Sequence, residues 1–134
     1  MPKFSQRSRD RLDTCHPVLR RLMLMAIETS DFTVLCGHRG RIEQEAAFAG
    51  GQSKVNWPKS KHNISPSMAV DIAPYPIDWH DEARFIALSR EVKRAWAAMT
   101  QDSKSGYDLL WGGDWSTFRD MPHWELRSNR GSLG

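Results

Sequence analysis

The chain has 134 residues, 40% hydrophobic and 26% charged, which suits one compact domain with its own core and excludes a largely disordered chain. A net charge of +3 is too mild to choose among nucleic acid, lipid and wall glycan, and no apolar run is long enough to span a bilayer. Two cysteines, Cys15 and Cys36, do not make a disulfide framework, so reduced thiols are expected.

Ser5 to Ser30 is expected to be helical in two pieces, a short charged one and a second begun by Pro17, whose missing N–H is harmless in a first turn. Leu19, Leu22, Met23, Ala26 and Ile27 recur at helical spacing and make a core stripe. "DFTVLCG" switches to a β-branched apolar run and reads as a strand, with Cys36 part of that run. "RIEQEAAFAGG" is a short helix closed by glycine, and "QSKVNWPKSKHNISPS" is loop. "MAVDIA" is a second strand, stopped by "PYP"; alternation puts Val70 and Ile72 on one face and Ala69, Asp71 and Ala73 on the other, where small neighbours leave room over a carboxylate. Asp78 is expected to cap a long helix reaching about Thr100, with Phe85, Leu88, Val92, Trp96 and Met99 as its buried stripe. "YDLLWGGDW" is a third strand with a glycine turn. "PHWEL" is a fourth, with His123 and Glu125 on one face and Trp124 and Leu126 on the other. Core packing is expected to account for at least half of the six tryptophans. There is no repeat or linker, so residues 1–134 read as one domain, with 127–134 as a loose tail.

Asp71 is the residue that demands chemistry. A carboxylate inside so apolar a strand needs a cation, and either a metal or an arginine would serve. His62, Asp71 and His123 can form a three-ligand zinc site with an open fourth position, although five histidines and sixteen acids also offer accidental triples. His16, His38 and His80 abut helix ends or basic clusters and rate lower. Asp120, three residues before His123, is either a general base or a turn-forming aspartate before Pro122. Arg39, directly after the first strand, can hold a carboxylate or a developing oxyanion; Arg41 competes for that role but sits at a helix start, where a solvated side chain is expected. The basic N-terminal stretch "KFSQRSRDR" lacks aromatic interleaving of the kind that stacks on bases, so nucleic acid is not an expected partner.

"SKHNISPSMAVDIAPYPIDW", "DMPHWEL" and the upstream "CGHRGRIEQ" together resemble the phage endolysins that are L-alanyl-D-glutamate endopeptidases, within the D-alanyl-D-alanine carboxypeptidase superfamily of zinc peptidases. The resemblance covers about residues 32–126, with Ser60, His62, Ala69, Asp71, Asp120 and His123 on the family pattern. It implies an α+β domain of the hedgehog/D,D-peptidase type, helices packed on one side of an antiparallel sheet. It further implies one zinc ion held by His62, Asp71 and His123, with Asp120 as catalytic base and Arg39 as the substrate or oxyanion arginine. Ser60, Trp115 and Glu125 are the further substrate-contact candidates. Two departures stand out. The interval from His62 to Asp71 is longer than in compact carboxypeptidases, so "NISPS" is expected to bulge, and the base is an aspartate where many relatives have glutamate, which leaves Glu125 as a second candidate for that role. The implied activity is hydrolysis of the L-Ala–D-Glu bond of the peptidoglycan stem peptide in host lysis. A D,D- or L,D-carboxypeptidase, or a non-catalytic wall-binding module, is the alternative on the same fold. The start of the chain lacks the apolar stretch of a leader peptide, so a monomer is expected to stay in the host cytoplasm, without membrane insertion, until a membrane lesion admits it to the wall.

Overall fold

Ser5 and His16 start the first two helices by the same device, a side-chain acceptor for a free backbone N–H. Ser5 Oγ accepts from Ser8 at 3.1 Å to open α1 (Gln6–Leu12), and His16 Nδ1 accepts from Val18 at 3.1 Å to open α2 (Pro17–Ala26). The chain continues through β1 (Phe32–Cys36), α3 (Arg41–Ala49), a 3₁₀ turn (Lys61–Asn63), β2 (Ala69–Pro74), α4 (Glu82–Ala98), α5 (Gln101–Lys104), β3 (Tyr107–Trp111), a second 3₁₀ turn (Gly112–Asp114) and β4 (His123–Ser128). These elements come from a computed structural model that describes residues 2–129.

Among the described residues the four strands form one antiparallel sheet in the order β1-β2-β4-β3. Its core face carries Phe32, Val34, Val70, Ile72, Trp124 and Leu126, packed against the stripes of α2 and α4 that begin with Leu19, Leu22, Leu88 and Val92. Trp111 and Trp124 stack within this core at 5.7 Å between ring centroids, so for these two the packing role holds. The edge strand β1 is covered by α1: Ser8 Oγ accepts from the Val34 N–H at 3.0 Å, and Arg11 donates to the Val34 carbonyl at 3.1 Å. The α+β layout expected from the alternation of periods is thus the observed one.

Three expectations need correction. Asp81, not Asp78, caps α4, accepting from the Arg84 N–H at 3.3 Å, while Asp78 closes a turn by accepting from His80 at 3.0 Å. Both aspartates are competent caps, and the choice falls to the later one because residues 79 and 80 are spent in the turn that stacks Trp79 on Phe85. The helix also stops at Ala98, and Thr100 starts the separate α5 by accepting from Ser103. Arg127 and Ser128, read as tail, belong to β4, where they pair with Asp108 and Tyr107 across β3. The rest of that predicted tail from 130 onward lies outside the described residues.

Candidate metal centre

The sheet face opposite the core is where the polar residues collect. Pairing β2 with β4 sets Asp71 directly opposite His123, with Ala69 opposite Glu125 in the next row. On the other side of β2 the register with β1 slips: Val34 pairs with Ile72, but Cys36 pairs with Asp71, so Leu35 and Cys36 together face one residue. That bulge turns Cys36 out of the alternation that put Phe32 and Val34 in the core and sets it beside Asp71. His62 reaches the same place from the 3₁₀ turn. Ser60 caps this turn by accepting from the His62 N–H at 3.1 Å, and Asn63 accepts from the Ser60 N–H at 3.0 Å. Ser60, expected to contact substrate, lines the groove but spends its hydroxyl on orienting His62.

The two imidazoles converge on one oxygen. His62 Nε2 lies 3.2 Å and His123 Nδ1 3.1 Å from Asp71 Oδ1, and Arg39 Nη2 lies 3.7 Å from Oδ2. Each ring is steered from behind by a group that can only accept: His62 Nδ1 is 2.7 Å from the Gly37 carbonyl, and His123 Nε2 is 2.8 Å from Glu125 Oε1. When the rings are neutral those nitrogens keep the protons, and the lone pairs of His62 Nε2 and His123 Nδ1 face Asp71. This is the donor chemistry a zinc ion takes. Among the described residues, ligand atoms within 4.8 Å of one another form two triplets, Cys36–His62–Asp71 and Asp71–Asp120–His123, which share Asp71. The two histidines fall in different triplets, with the carboxylate joining them.

The electrostatics follow from burial and pairing. Burial alone would raise the Asp71 carboxyl, but hydrogen bonds from His123 and His62 outweigh it and hold the group well below the usual carboxylate range. Burial likewise pulls the histidines down, and their bonds to Asp71 reverse it, pushing His62 up to about 10 and His123 up to about 9. Asp120 moves the other way: burial, then the Asp71 charge, raises it, against the smaller pull of His123, His62 and Arg39.

Around this centre opens a groove of about 730 Å³ with two walls, one from residues 51–61 and one from residues 115–120. The second wall begins with Trp115, whose ring lies 5.3 Å from that of His123, and ends with Asp120. Asp120 is fixed by its backbone, its N–H donating to the Gly112 carbonyl at 3.0 Å and its carbonyl accepting from His123 at 3.1 Å. The approach is so close that a side chain at position 112 would run into Asp120, so glycine is required there. Arg39 is held by Gln44, the one buried residue of α3, whose Oε1 accepts from Arg39 at 2.9 Å and from Asn63 at 3.1 Å while its Nε2 donates to the Val55 carbonyl at 2.7 Å. Arg41 points to solvent and pairs with Glu45 at 2.9 Å. His38 and His80 are exposed, and His16 serves as a helix cap. Sequence reasoning missed Gln44 and Cys36. Neither had a local signal, because a buried glutamine in a polar helix and a bulge in an apolar run show only when distant segments meet.

Glu125 is engaged behind the His123 ring and with Lys61 at 3.2 Å; burial would raise its carboxyl, but these partners hold it low. If His123 holds a zinc ion, Glu125→Gln is expected to weaken its binding by about 10- to 100-fold, the usual scale for a residue that orients a ligating imidazole. Competition with a chromophoric chelator measures it, and unchanged affinity would deny Glu125 that role.

The match to known proteins is extensive. The family model "Phage L-alanyl-D-glutamate peptidase" matches residues 1–128. The chain belongs to the phage L-alanyl-D-glutamate peptidase family. The L-alanyl-D-glutamate peptidase of Escherichia phage T5 is 33% identical over 131 residues, covering 93% of this chain and 89% of the phage protein. The crystal structure of the Serratia marcescens L-Ala D-Glu endopeptidase ChiX superposes with a TM-score of 0.73 at 27% identity, over 93% of this chain and 90% of that one. The present chain is thus a peptidase on an α+β fold. Among its described residues no helix is long and apolar enough to cross a membrane.

Proposed function

We propose that this peptidase is zinc-dependent and hydrolyses the L-Ala–D-Glu bond in the stem peptide of bacterial peptidoglycan, so that wall degradation lyses the host. The observation that carries the reading is the convergence of His62 and His123 on Asp71 in a groove that also holds Asp120, in a chain of this family. Zinc held by His62, Asp71 and His123 would polarise the scissile carbonyl and acidify a water molecule. Asp120 takes the proton of the attacking water and returns it to the departing D-Glu nitrogen. Its raised pKa makes it a better proton acceptor than an ordinary aspartate, and its backbone tether keeps the carboxylate next to Asp71 and His123. Trp115 forms an apolar wall over the site. Action as a monomer, with access from the host cytoplasm through a membrane lesion, completes the proposal.

Digestion of purified peptidoglycan followed by mass spectrometry tests the bond. New N-terminal D-Glu and new C-terminal L-Ala are expected, with loss of both on strong chelation and return on adding zinc. Release of single terminal residues would identify a carboxypeptidase instead, and no release in any metal state would leave only a binding module.

Arg39 is proposed to read the free α-carboxylate of D-Glu, which stays beside the scissile bond because the stem continues through the side-chain carboxyl. Arg39→Lys should then lower kcat/KM by about tenfold or more on free-acid substrate, because one ammonium cannot reproduce the two-point contact, and the loss should shrink when that carboxyl is amidated. An equal loss on both substrates would move Arg39 to the oxyanion.

A further inference from the structure

Cys36 stands outside the zinc triple proposed above, yet the fold brings it there. The β1 bulge sets it opposite Asp71, in the row that continues across β2 to His123. Its Sγ, a ring nitrogen of His62 and a carboxylate oxygen of Asp71 lie within 4.8 Å of one another. The thiol is free, since Cys15 is buried separately against the Arg11 and Ala69 carbonyls. Arg39 Nη2 sits 3.7 Å from Sγ, so the sulfur already faces a cation.

We propose that Cys36, His62 and Asp71 form a second donor set for a thiophilic divalent cation such as cadmium, overlapping the zinc site and competing with it. This rests on the metal reading of the centre. The two sets share His62 and Asp71 and differ in the third donor, a thiolate on β1 or an imidazole on β4. Zinc accepts thiolate, imidazole and carboxylate alike, whereas a softer cation such as cadmium gains most from the thiolate. Binding in the thiolate mode forms a metal–sulfur bond as the thiol proton leaves to solvent, with no change of oxidation state. An ion so placed is drawn toward β1, away from His123 and from the Asp120 that shares the His123 triplet.

Titration of metal-free protein with cobalt(II) and cadmium(II) separates this from the zinc reading. Visible cobalt bands report that an ion is bound. A near-ultraviolet sulfur-to-metal charge-transfer band reports the thiolate. Cadmium is expected to give the charge-transfer band, saturating at about one ion per chain, and Cys36→Ser should abolish it and weaken cadmium binding by about tenfold or more while visible cobalt bands persist. Visible cobalt bands in the unmutated protein without any cadmium charge-transfer band would overturn the proposal and leave the zinc site standing. Absence of every band would overturn both. The unmutated spectrum decides the matter even if the serine variant fails to fold.

Discussion

Asp71→Ala is expected to abolish stoichiometric metal binding and to destabilise the metal-free protein by about 3 to 5 kcal/mol, the scale for removing one partner of a buried charge cluster. The carboxylate lies between His62, His123 and Arg39, at 3.2, 3.1 and 3.7 Å. Without it, two imidazoles and a guanidinium lose the carboxylate that joins them at the floor of the groove. Denaturant unfolding of the chelated protein and metal analysis measure the two effects, and a full complement of zinc in the variant would defeat the assignment. The same cluster sets a pH dependence. Asp71, depressed in the fold, stabilises fully above its ordinary 3.8 and loses that contribution as pH falls through its lowered value. The histidines, raised in the fold, stabilise fully below their ordinary 6.5 and lose that contribution as pH rises through about 9 and about 10. Chelated protein should therefore be most stable between about pH 4 and about pH 6.5 and melt at lower temperature as the solution becomes alkaline. Zinc held as proposed by His62 and His123 would run the opposite way, because each imidazole must first lose its proton. Melting curves with and without zinc across this range check the sign, and a chelated protein that gains stability from about pH 7 to about pH 9 would refute the charge-cluster account.

Asp120→Asn should lower kcat by about 100-fold to 10,000-fold with zinc content unchanged, since the amide keeps the size and removes the proton acceptor. The side chain shares a triplet with Asp71 and His123 and is anchored through its backbone to Gly112, so the substitution leaves the wall in place. Glu125, engaged by His123 and Lys61, is not offered to a water in the groove in the same way. Its glutamine variant is expected to show reduced zinc affinity with kcat recovered at saturating zinc. If Asp120→Asn retains full kcat and Glu125→Gln at saturating zinc has none, the base is Glu125.

Local pattern in the sequence determined the layout: a β-branched apolar run for β1, a run closed by a glycine turn for β3, period-two alternation for β2 and β4, helical-spacing stripes for α2 and α4, and the face on which Asp71, His123 and Glu125 would stand. These are readable because alternation and helical spacing are properties of adjacent residues, and burial on one face is enough to impose them. The Ser-x-His, Ala-x-Asp and Asp-x-x-His pattern also marked Ser60, His62, Asp71, Asp120 and His123, which the structure brings to one groove. Tertiary structure decided the rest. Whether Asp78 or Asp81 capped α4 depended on where Trp79 could stack on Phe85. Cys36 read only as part of an apolar run, and it is the slipped register against β2 that sets it beside Asp71. Gln44 supports Arg39 through contacts with Asn63 and Val55, residues 19 and 11 positions away along the chain. Register slips and contacts of that kind are fixed by which strands and loops pair across the fold, and no window of neighbouring residues carries that information.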